Sequence, residues 1–131
     1  MAAITFVPDA VLDAPLDNII AGNLVHLTGE VLTTVTYAQV LAASIGSYVP
    51  VFSKADSGTG RKAILAAATG VVIDTATNFA SADKTFDQYI IVDTVSLAIK
   101  FIGVGTNKLL SNGDTVNTPA ADIINPAIVV V

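Results

Sequence analysis

The stretch SKADSGTGRKAIL, Ser53 to Leu65, holds the residues of this chain that most resemble a phosphate-binding device. Gly58 and Gly60 precede a basic pair, Arg61 and Lys62. A phosphate-cradling loop needs a glycine, four residues, then Gly-Lys and a hydroxyl residue, so that backbone amides wrap the phosphates and the hydroxyl holds magnesium. Here one residue separates the glycines, arginine precedes lysine, and Ala63 stands where the hydroxyl must be. The dinucleotide fingerprint fails as well, because neither GTGRKA nor GVGTNK, from Gly103, supplies a third glycine or leads into a helical pattern. The stretch reads as a turn between two strands.

The remaining candidates for chemistry are few. His26 is the only histidine, which excludes sites built on two imidazoles. No G-x-S-x-G motif accompanies it, so it reads as a half-exposed strand residue facing away from Val25 and Leu27. Asp9, Asp13 and Asp17 fall four apart and would form a carboxylate stripe on a helix, but Pro15 interrupts that helix. Sugar cleavage by paired acids lacks its aromatic cleft, with no Trp and three Tyr. SNGD and DTATN suit a loose calcium site at best, since neither has the alternating oxygens of an EF-hand loop. The sequence therefore leads us to expect no catalytic residue, no cofactor and no metal.

Composition bears on partners. Of 131 residues, 53% are hydrophobic and only 13% charged, against about 25% in an ordinary soluble domain. So little charge solvates a small surface poorly, and other copies or partners are expected to cover part of it. Net charge is −5 and the six basic residues are scattered, which offers no track for a nucleic-acid backbone. The longest apolar run, Ala63 to Ile73, is too short for a membrane span of about 20 residues. MAAITFVPDA has no basic segment and does not read as a secretory signal. The absence of cysteine removes thiol chemistry and disulfides together.

The elements that must carry these residues are mostly strands. Val, Ile and Thr dominate, and short apolar runs alternate with Gly, Asn, Asp and Pro. The fold class is all-β: a small β-sandwich or partly open, tulip-like barrel, with one short helix near residues 37–45 and an extended N-terminal arm. Residues 1–18 are read as that arm, because Pro8 and Pro15 suppress helix, and 19–131 as a single β-rich domain. ITFV is a short strand, and NLVHLTGEVLTTVTY two strands meeting near Thr28 and Gly29. In TYAQVLAASIG, Thr36 and Gln39 fit a capping box and Gly46 a left-handed stop. Strands follow in VPVFSKA, RKAILAAA and TGVVIDTAT, and QYIIVDTVSLAIKFIGVG alternates apolar residues at odd positions, irregularly at Asp93 and Lys100. SNGD is a candidate type I′ hairpin turn, and NPAIVVV a last, strongly apolar strand that pairs with a sheet edge, by preference a neighbour's. Ile4, Phe6, Val7, Val11, Leu12 and Leu16 in the arm, with Ile128, Val129, Val130 and Val131, are the candidate interface residues.

The segment Tyr48 to Thr77 resembles the head decoration, or cement, proteins of tailed bacteriophages. In that family a Pro-led apolar strand runs into a polar Gly/Ser loop, then a strand of small residues, then a short Gly-Val strand leading to acid and threonine. Pro50, Val51, Asp56 to Gly60, Gly70, Val71, Val72 and Asp74 match that succession, and AGNLVHLTG resembles the stretch before it. The chain departs from the family in lacking a long Thr/Pro/Gly-rich arm and in its longer C-terminal half. The resemblance implies a compact β-domain that forms homotrimers, binds the major capsid protein of the expanded head, and strengthens the virion shell without chemistry. Nucleic acid and membrane are not expected among its partners.

Overall fold

The computed structural model describes residues 9–33, 35–57 and 60–125. In chain order these form α1 (Asp9–Ile20), β1 (Leu24–Thr28), α2 (Tyr37–Ala43), β2 (Ser44–Tyr48), β3 (Phe52–Ser57), β4 (Gly60–Leu65), β5 (Ala68–Val72) and α3 (Ala76–Phe79). There follow β6 (Lys84–Thr85), β7 (Gln88–Asp93), β8 (Ala98–Val104), β9 (Leu109–Leu110), β10 (Thr115–Thr118) and β11 (Ala121–Asn125). The architecture is the expected small all-β sandwich with few helices. ITFV and Pro126 to Val131 lie outside the described residues.

A four-stranded antiparallel sheet, ordered β2-β1-β7-β8, divides the core. On one face, Val25 and Ile91 meet Ala63 and Leu65 of β4, Ile123 of β11 and Leu16 of α1. On the same face Leu27 and Ile45 join Val71, Ile73, Phe86, Leu110 and Val116. Tyr48 and Tyr89 pack against both groups and mark the seam between them. The other face carries Ile90 and Val92 under Val40 of α2. Burying both faces explains why four of the five residues of β1 are buried although only alternate ones are apolar.

The expected extended arm is helical from Asp9, with Pro15 inside the helix. Leu12 and Leu16 are 3% and 2% exposed, and Ile19 follows on the same stripe against the core. Burying two leucines stabilises by roughly 1.5 to 3 kcal/mol each, which exceeds the ~3 kcal/mol that an interior proline costs. Pro15 itself is on the exposed side, where the carbonyl it leaves without a helical donor is open to water.

Other local expectations separate in the same way. The capping box at α2 is present, with Gln39 N donating to Thr36 Oγ1 at 3.3 Å and Thr36 N to Gln39 Oε1 at 3.1 Å. The helix ends at Ala43, however, and Gly46 lies inside β2 rather than acting as a left-handed stop. The second strand expected after Gly29 is absent among the described residues; Leu32 and Val35 instead cover the sheet beside Val40. SNGD is a turn, with Asp114 N donating to Ser111 O, but its flanking strands pair elsewhere, β9 with β6 and β10 with β5. Only Gly113 has a positive φ, 87°, which suits a type II turn rather than type I′.

Candidate functional site

The opening stretch is the β3–β4 hairpin. Its register runs from Phe52↔Leu65 to Ser57↔Gly60, so two residues join the strands. The cations of the stretch all face carboxylates of the same chain. Arg61 Nε donates to Asp13 at 2.9 Å and Nη1 to Asp56 at 2.8 Å. Lys54 Nζ reaches Asp17 at 2.8 Å and Asp13 at 3.5 Å, and Lys62 reaches Asp122 at 3.0 Å. The acid stripe therefore exists on α1, at Asp13 and Asp17, but it is neutralised by the hairpin. Arg61, through its hydrogen bond first, holds the Asp13 carboxyl below the usual carboxylate range. No group of three or more metal-ligating side chains occurs among the described residues.

The second glycine stretch is equally structural. A Cβ at Gly103 would overlap the Tyr89 ring, so glycine there admits an aromatic side chain and not a pyrophosphate.

His26 is 6% exposed, which corrects the half-exposed reading: loop residues and α2 cover the face it occupies. Its Nδ1 lies 2.9 Å from Ser44 Oγ, and the Ser44 hydroxyl donates to Gly46 O at 3.2 Å. The single hydroxyl proton can serve either neighbour, and the His26 tautomer follows from which one it takes. Nε2 is buried without a partner among the described residues. Burial lowers the His26 pKa from 6.5, keeping the ring neutral.

The acids near turns act as caps. Asp74 accepts from Ala76 N, Thr77 N and Thr77 Oγ1, and its pKa is lowered by the Thr77 bonds. Asp93 accepts from Val95 N and Ser96 N in the β7–β8 turn, which lowers its pKa too. Asp114 takes Ser111 N at 2.8 Å. The acids of DTATN and SNGD thus hold their own backbone.

Two concavities stand out among the described residues. One, of about 150 Å³, lies at the core seam among Tyr48, Tyr89, Leu65, Phe86 and Thr118. The other, of about 790 Å³, is an open cleft walled by β2 with Val49 on one side and β5 on the other, closed at one end by Asp74, Thr77 and Asn78. Exposed apolar side chains stand at both ends of the β7–β8 hairpin, Val95 (88% exposed) and Leu97 at its turn and Ile102 and Val104 (82% exposed) at the open end of β8. Among the described residues β8 is an edge strand, paired with β7 alone.

Of the interface candidates, Leu12 and Leu16 belong to the chain's own core and are unavailable to a partner. Val11 is exposed on the outer side of α1. Ile4, Phe6, Val7, Ile128, Val129, Val130 and Val131 lie outside the described residues. The exposed residues of β8 escaped the sequence reading, although their alternation was visible, because periodicity does not say which strand ends a sheet. No helix among the described residues is long and apolar enough to cross a membrane. Comparison with protein-family models, curated proteins and solved structures finds no match to this chain.

Proposed function

We propose that this chain is a structural virion protein of a tailed bacteriophage, a non-catalytic module that binds the outside of the capsid and stabilises the expanded head. It acts as a homotrimer on the major capsid protein, is made in the host cytoplasm and resides on the capsid surface. The observation that carries this reading is the apolar edge of the central sheet. Ile102 and Val104 continue the face that Ile90 and Val92 present to α2, yet α2 does not extend over them. An edge strand with valine and isoleucine in water and a single lysine is a site for association. The acids at turns, engaged by their own backbone, agree with a role without catalysis.

The test is sedimentation of the purified protein with expanded, empty phage heads, together with its mass in solution. Binding to expanded heads, and a trimeric mass, are expected; a monomer that ignores heads would end the proposal. A tail-tube, baseplate or fibre module is the second reading, favoured by the edges of β2 and β5 that stay unpaired among the described residues. Rings or filaments in place of isolated trimers would distinguish it.

A further inference from the structure

The β2–β5 cleft is a gap in an otherwise continuous ribbon. The pairing of β3 with β4 runs back from Ser57↔Gly60 to Phe52↔Leu65, and Ala66 N extends it to Val51 O at 2.9 Å. Continued in register, Tyr48 would face Thr69. Instead the strands part, β2 joining β1 and β5 joining β10, each with one neighbour only among the described residues. They meet again where Asp74 N donates to Ile45 O at 2.8 Å and where a Cβ on Gly46 would come within 3.0 Å of the Val72 carbonyl. Backbone groups alternate sides along a strand, so with Ile45 O directed at β5, the N–H and C=O of Ser47 and Val49 point into the cleft as well. Val49 and Val72, both exposed, line its two lips.

We propose that this cleft receives an extended segment of a second copy of the same chain, residues 126–131, which adds as a strand along β2. The match is in length and chemistry. The open part of β2 and β5 spans four or five residues, and Ala127 to Val131 supplies five, four of them β-branched and none charged. The donor must be another copy. β11 pairs Ala121 with Leu65 and Asn125 with Arg61, so it leaves the fold at the hairpin end of β4, about 13 Å from Leu65 at ~3.3 Å per residue. From there to the mouth at Val49 and Ala68 is roughly 20 Å, and six residues reach at most about 21 Å. The segment of the same chain would arrive at the mouth with nothing left to lay inside. Exchanged reciprocally, the segment closes a two-fold dimer; passed on to a third chain, it closes a larger ring or grows as a filament. The inference does not depend on a capsid being the partner.

The chain has no cysteine, which permits a clean cross-linking test. Val49→Cys chains are mixed, without phage heads, with chains carrying one cysteine at each position from 127 to 131 in turn, then oxidised. The expected product is a covalent pair at twice 13.4 kDa, with yields that alternate along the five positions as strand side chains alternate. Val95→Cys in place of Val49→Cys should give none. Absent or uniform cross-linking would overturn the proposal. So would a bond formed within a single doubly substituted chain, or preferential capture of Ile4→Cys, which would assign the cleft to the other end of the sequence. Val130→Lys, which leaves the described core untouched, should reduce the assembled mass to that of one chain; an unchanged mass counts against the inference.

Discussion

The β3–β4 hairpin and the β2–β5 cleft are two lengths of the same pair of chain paths, treated in opposite ways. At the hairpin, strands pair fully, α1 lies across them, and Asp13, Asp17 and Asp56 meet Lys54 and Arg61. At the cleft the strands separate, α3 closes one end only, and valines border the opening. A protein with few charges has concentrated them where they orient a helix on its own sheet. The difference teaches that apolar excess here is local: one end completes itself, and the other invites completion.

The largest expected effect tests the closed end. Leu16→Ala should destabilise by about 2 to 5 kcal/mol in chemical denaturation, because a fully enclosed side chain leaves a cavity under α1. A loss below 1 kcal/mol would mean that the helix is not held by its apolar stripe. Pro15→Ala should stabilise by about 2 to 2.5 kcal/mol, the helical gain less the greater freedom of the unfolded chain. No gain would show that the exposed proline is not a helical cost.

Acidification separates the regions further. His26 has a folded pKa below its ordinary 6.5, so the unfolded chain binds a proton first and stability falls as pH drops below about 6.5. His26→Gln should flatten the melting temperature between pH 7 and 5. Asp13, Asp74 and Asp93, also lowered, should withdraw their contributions only below the ordinary carboxylate value of 3.8, as pH falls through their folded values. A single loss centred near pH 4 with none above it would contradict the assignment to His26. The smallest effect is expected at the open end: Val72→Lys should change unfolding free energy by less than about 0.5 kcal/mol while weakening association measured by light scattering. A large stability loss there would mean that the cleft wall belongs to the core.

Much of this fold was legible from residue types. The β3–β4 turn, the α2 capping box and the all-β class follow from local rules that tertiary contacts did not oppose. Where tertiary burial competed with local preference, it prevailed: Leu12 and Leu16 draw a proline-bearing segment into a helix, and that helix makes real the acid stripe that Pro15 had argued away. The cleft was illegible for another reason. TGVVIDTAT reads as a strand and covers β5 from Thr69 on, but β2 begins inside the stretch TYAQVLAASIG that reads as helix, and whether the two strands pair or part depends on their other neighbours, β1 and β10, many residues away. His26 likewise gives no sign in sequence that a distant helix buries it.

The amide of Asn125 donates to the Leu12 carbonyl at 2.7 Å, clasping the end of β11 to α1. That clasp ties the orientation of the end of β11 to that of α1, and so the turn from one protomer to the next, should a neighbour be engaged from there, to the set of the helix. A few degrees of helix tilt would then decide between a closed circle and an open spiral.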